Sequence, residues 1–154
     1  MAPTRISIPL PDPDATDALA RRLAALIAPG RTILLEGQIG AGKSHFARAL
    51  IRAELGLVEV PSPTFTLVQS YEAAPCDIWH ADLYRLGDPG ECIELGLTEA
   101  FEEAFCLVEW PDRLGALRPD GALTLRLDPD ETGEGRRAHL EWSDPAWDEV
   151  ATLV

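Results

Sequence analysis

A chain of 154 residues is long enough for one domain with a substantial core, and 46% hydrophobic against 25% charged residues is a globular rather than a disordered balance. A formal charge of −13 repels a phosphate backbone, so any contact with nucleic acid is expected through a partner, and no apolar run is long enough to span a bilayer. Cys76, Cys92 and Cys106 are odd in number and lack metal-ligand spacing, and no basic-then-apolar leader follows Met1; both point to reduced, buried thiols in a cytoplasmic protein.

In chain order, the spacing of Leu19, Leu23, Leu26 and Ile27 predicts a helix over 14–27, ended by Pro29-Gly30. Residues 31–36 read as a short apolar strand. The next eight residues, Gly37-Gln38-Ile39-Gly40-Ala41-Gly42-Lys43-Ser44, follow the phosphate-binding pattern G-x-x-x-x-G-K-[ST]. A helix is expected over 46–55, stopping at Gly56. Strand, glycine loop and helix are the setting such a loop requires. Gly37, Gly40 and Gly42 let backbone N–H groups converge on phosphate oxygens, the helix N-terminus adds partial positive charge, and the Ser44 hydroxyl suits Mg²⁺. Lys43 is the only lysine, against twelve arginines. A compact ammonium reaches between phosphates as a point charge, where a planar guanidinium has a different shape.

Beyond this helix, Pro61-Ser62-Pro63-Thr64 forces an extended loop, whose Thr64 hydroxyl either reaches Mg²⁺ or a terminal phosphate or bonds its own backbone. Strands are expected over 65–71 and 77–83. The second places His80, Asp82 and Tyr84 on one face. Asp82 is suited to orienting a water or holding Mg²⁺, Arg85 to developing phosphate charge or a carboxylate, and His80 to hydrogen-bonding support. Asp88-Pro89 opens a helical stretch over 90–104, interrupted near Gly96 and restarted by Thr98. The buried strand 106–108 runs into Glu109-Trp110-Pro111, and an acidic residue at such a strand end holds Mg²⁺ beside a phosphate loop. After a turn at Pro119-Asp120-Gly121, two further strands are expected over 122–127 and 138–142. The fold expected is α/β and P-loop NTPase-like, a single domain over 1–154 whose parallel central sheet is flanked by antiparallel strands, with helices on both faces. With its one lysine in the glycine loop, the chain has no Asn-Lys-x-Asp guanine-reading element, which favours an adenine nucleotide.

Taken together and in this order, G-x-x-G-A-G-K-S at 37–44, S-P-T-F at 62–65, H-x-D-L-Y-R-L at 80–86 and L-V-E-W-P at 107–111 resemble the TsaE (YjeE) family, across residues 12–127. The resemblance implies a small ATPase that binds ATP or ADP with Mg²⁺ and acts in forming threonylcarbamoyladenosine in tRNA. It implies phosphate contacts from residues 37–44, with Ser44 on Mg²⁺, Thr64 in a switch-like loop, Asp82 as an essential carboxylate, Glu109 linked to Mg²⁺ and Trp110 beside the nucleotide. Thr16 and a basic residue at Arg136 or Arg137 are implied near the nucleotide too. Lys43, Asp82 and Glu109 are the expected catalytic set, and Ser44, Asp82 and Glu109 the expected metal set. The implied partners are TsaD and TsaB, with tRNA reached only through them. Gln38 stands where many members carry Asp, and Ser44 where many carry Thr. A small-molecule P-loop kinase and a non-catalytic nucleotide sensor are the competing readings.

Overall fold

Among the described residues, seven strands join into one sheet in the order β1-β7-β6-β2-β5-β4-β3. They are β1 (Thr4–Leu10), β2 (Thr32–Glu36), β3 (Val68–Tyr71), β4 (Ile78–Asp82), β5 (Phe105–Glu109), β6 (Leu123–Pro129) and β7 (Arg136–Trp142). The computed structural model describes residues 2–56, 60–61, 63 and 67–154. The central strands β6, β2, β5 and β4 run parallel. The pairs β1–β7, β6–β7 and β3–β4 at the margins are antiparallel. The near-continuous apolar runs of β2 and β5 follow from this placement, since strands covered on both faces have no polar side to present.

The helices are α1 (Pro13–Leu23), α2 (Lys43–Leu55), α3 (Gly90–Glu94), α4 (Leu97–Glu103) and α5 (Val150–Leu153). On one face, α1, α2 and α5 cover Ile33, Leu35, Phe105, Leu107, Leu125 and Leu140. On the other, α3, α4 and the 3₁₀ segment Pro111–Leu117 cover Leu34, Ala81, Cys106 and Val108. The mixed α/β architecture with a parallel centre and antiparallel margins thus agrees with the sequence expectation. Toward β6, β7 and β1 the second face carries polar pairs instead, such as Arg5 Nε to Glu141 at 2.9 Å and Ser7 Oγ to His139 Nδ1 at 2.8 Å.

Several boundaries differ from those expected. Strand β1 was not anticipated: its alternating Ile6, Ile8 and Leu10 lie among prolines, which only an edge strand accommodates, and β1 pairs with β7 alone. Helix α1 gives way to 3₁₀ geometry at Ala24–Leu26, and α2 begins three residues before the expected start, at Lys43. The interruption at Gly96 is present, with φ of 82° and a helix restarting at Leu97 rather than Thr98. Strand β4 ends at Asp82, so Tyr84 lies beyond the strand and does not share its face with His80 and Asp82.

All three cysteines are buried and unpaired. Burial pushes the Cys106 thiol up to about 12, and burial raises Cys76 and Cys92 as well. Reaction with a thiol reagent requires the thiolate. At neutral pH the native chain is therefore expected to leave all three unlabelled, with labelling appearing together with unfolding in a denaturant titration. A thiol that reacts at once in the native protein would contradict this packing.

Candidate functional site

The parallel strands end on one side of the sheet, and the site is built there. The chain leaves β2 through residues 37–42 and enters α2 at Lys43. Two glycines explain the loop's course. At Gly37, φ is 143° and an added Cβ would stand 2.7 Å from the Leu127 carbonyl oxygen, so no other residue fits unshifted. Gly42 precedes α2 in the left-handed region at φ 103°, turning the chain directly into the helix. The first intrahelical bond runs from Phe46 N–H to the Gly42 carbonyl at 2.9 Å. The N–H groups of Lys43, Ser44 and His45 come before it and have no acceptor within the helix.

Lys43 is 5% exposed. Its Nζ donates to the carbonyls of Gly37 and Gln38, the latter at 3.1 Å, and lies 3.8 Å from the centre of the Trp110 ring. Burial lowers its pKa from the usual lysine value, while the negative charges of Glu109, Asp82 and Asp112 act to raise it. Trp110 reaches this position from a left-handed backbone, φ 58° and ψ 54°, uncommon for a bulky residue and found where function holds a strained geometry in place. The Tyr84 ring leans on it, centroids 4.9 Å apart.

The acidic residues arrive on neighbouring strands. The register of β4 on β5 pairs Asp82 with Glu109, so two carboxylates end adjacent parallel strands. Glu109 is 2% exposed, and its two oxygens are both engaged: Ser44 Oγ donates to Oε1 at 2.7 Å, and His80 Nε2 lies 2.6 Å from Oε2. Asp82 is also buried and accepts the Tyr84 N–H at 3.1 Å. His80 therefore has the supporting place anticipated for it, on the Glu109 carboxylate. Ser44, Asp82 and Glu109 line one cleft, and hydroxyl and carboxylate oxygens are the donor types that Mg²⁺ takes.

These groups border a cleft of about 420 Å³ lined by Ile39 to Ser44, His45, Arg48, Asp82, Tyr84, Arg85, Glu109 and Trp110. A second, smaller pocket of about 150 Å³ adjoins it at Ala41, Gly42 and His45, and is walled by Leu10, Pro13, Thr16 and Arg136 among others. Arg136 fastens β7 to the glycine loop, with Nε 3.2 Å from the Ala41 carbonyl and Nη2 3.1 Å from that of Gly40. Of the expected site residues, Thr64 lies outside the described residues. Arg137 points elsewhere, to Glu131 at 3.6 Å. Sequence reasoning missed His45 and its Asp17 partner, which come from two helices and have no motif spacing.

The family model for threonylcarbamoyl adenosine biosynthesis protein TsaE matches residues 10–138. The chain belongs to the TsaE family. A TsaE of Rickettsia bellii is 37% identical over 115 residues, covering 74% of this chain and 80% of the relative. The TsaE of Bacillus subtilis is 41% identical over 116 residues, 74% of this chain and 72% of the relative. Among solved structures, Bacillus subtilis YdiB has the same fold, with a TM-score of 0.81 at 24% identity, covering 99% of this chain and 95% of that one. Membership places the chain among proteins of tRNA threonylcarbamoyladenosine biosynthesis. Among the described residues no helix is long and apolar enough to cross a membrane.

Proposed function

We propose that this TsaE-family chain is an Mg²⁺-dependent ATPase of the cytoplasm that works with TsaD and TsaB homologues in tRNA modification, its turnover raised by those partners. The observation that carries the reading is the convergence of Lys43, the Ser44–Glu109 hydrogen bond and Asp82 around one glycine-loop cleft. The N–H groups at the start of α2 would donate to phosphate oxygens, and Lys43 would move from the Gly37 and Gln38 carbonyls to the terminal phosphates. Ser44, Glu109 and Asp82 would hold Mg²⁺, whose charge offsets that of the phosphates. Asp82 or Glu109 would also position the attacking water. Thr16 and Arg136 border the smaller pocket, which would take the adenine. The net charge of −13 fits a subunit that meets tRNA only through its partners.

The test is ATP hydrolysis by the purified chain with Mg²⁺, alone and with the TsaB–TsaD pair of its own organism. Slow turnover alone and a rise of tenfold or more with the pair is the expected outcome. Turnover that ignores the pair would overturn the partner role, phosphorylation of an added metabolite would favour a kinase, and absent hydrolysis in both arms would leave a nucleotide sensor.

A further inference from the structure

His45 is the third residue of α2 and lines both cavities: the cleft at the glycine loop and the smaller pocket bordered by Thr16 and Arg136. A nucleotide with its terminal phosphates at the loop and its base in the smaller pocket would pass His45 with its ribose. The His45 ring is held from α1, where Asp17 Oδ1 stands 2.7 Å from His45 Nε2, and both side chains are part-exposed, 38% and 36%. A carboxylate only accepts hydrogen bonds, so Nε2 carries the proton and donates. In the neutral imidazole this leaves Nδ1 as an acceptor, and among the described residues Nε2–Asp17 is the ring's one side-chain hydrogen bond.

We propose that His45, oriented by Asp17, recognises the ribose hydroxyls of the bound nucleotide and so selects a nucleotide over a bare polyphosphate. The chemistry decides between the parts of the ligand. Phosphate oxygens are themselves acceptors and cannot pair with the Nδ1 of a neutral ring. A ribose hydroxyl donates, and it lies on the stretch between phosphates and base. The proposal rests on the ATP-binding reading above and adds a specificity determinant outside the G-x-x-x-x-G-K-S motif.

Calorimetric titration of the full chain with ADP, 2′,3′-dideoxy-ADP and inorganic pyrophosphate tests it. Wild type is expected to bind ADP about tenfold more tightly than the dideoxy analogue. In His45→Ala, ADP affinity should fall about tenfold to the level of the analogue, with the analogue and pyrophosphate bound as by wild type. Asp17→Asn should lose part of the same preference, since the ring is no longer held by a carboxylate. Unchanged pyrophosphate binding doubles as the check that the loop is intact. The proposal is overturned if His45→Ala weakens ADP and the dideoxy analogue equally, if pyrophosphate weakens in step, or if no ligand is affected. Wild type that binds neither nucleotide would refute the ATP-binding reading itself, a result distinct from all of these.

Discussion

Lys43→Ala is expected to weaken ADP binding at least a hundredfold, about 2.8 kcal/mol, and to bring ATP hydrolysis to background. No second lysine exists to substitute for it. The variant should nonetheless fold. In the unliganded chain the ammonium satisfies two loop carbonyls, one of them on the exposed Gln38, where water can replace it. Its lowered pKa, caused first by burial, means that holding the charge in this place works against the folded state. The sign follows from linkage. Below the lowered folded pKa the full penalty is present, and it is relieved as pH rises from that pKa toward the unfolded lysine value of 10.5. Lys43→Ala should therefore melt at or slightly above wild type at pH 7, and the difference should narrow as pH approaches 10. Lys43→Arg keeps the charge but changes its shape, so it should also fail to hydrolyse ATP. The pair of measurements separates binding from folding: loss of ADP binding with intact melting supports the site, while wild-type turnover in Lys43→Ala would refute it.

How much of this was legible in the sequence depends on whether the signal was local. The glycine loop was, because G-x-x-x-x-G-K-S between a strand and a helix fixes backbone conformation and charge within eight residues. Glu109 was, because it ends an uninterrupted apolar run. The parallel centre followed from β2 and β5 having no polar face. Strand β1 was not, because its prolines suggest a loop until an edge position and a partner on β7 are known. Tyr84 was assigned to a strand face by alternation that continues past the true end of β4. The tilted contact of Tyr84 with Trp110, and that of Trp110 with Lys43, depends on a left-handed backbone at Trp110 that no residue preference announces. Thr16, Asp17 and Arg136 reach the site through α1 and β7, elements whose distance along the chain from the loop hides their contact. Here the family resemblance supplied Thr16 and the pair of alternatives Arg136 or Arg137, and nothing supplied His45.

The second large effect is expected at Glu109, where two substitutions separate chemistry from architecture. The carboxylate accepts from Ser44 Oγ at 2.7 Å and stands 2.6 Å from His80 Nε2. His80 is fully buried, and its Nδ1 has no hydrogen-bond partner among the described residues. A proton on Nδ1 would thus be a buried donor without an acceptor, so the ring keeps its proton on Nε2 and donates to Glu109. Glu109→Gln can retain both contacts: its amide oxygen accepts from His80 and its NH₂ faces Ser44, whose hydroxyl turns to accept. Its stability should lie within about 1 kcal/mol of wild type. Glu109→Ala leaves the His80 donor unpaired in a buried place and should lose roughly 1–3 kcal/mol. Both variants lack the carboxylate charge that the proposed Mg²⁺ site requires. Both should lose hydrolysis a hundredfold or more while ADP binding without metal falls less than threefold, and Asp82→Ala should behave alike in hydrolysis. ADP titrations with and without Mg²⁺, beside urea melts, read the two effects independently. If Glu109→Gln turns over ATP as wild type does, Glu109 is a structural acceptor for His80 and Ser44 alone, and the metal must be held elsewhere.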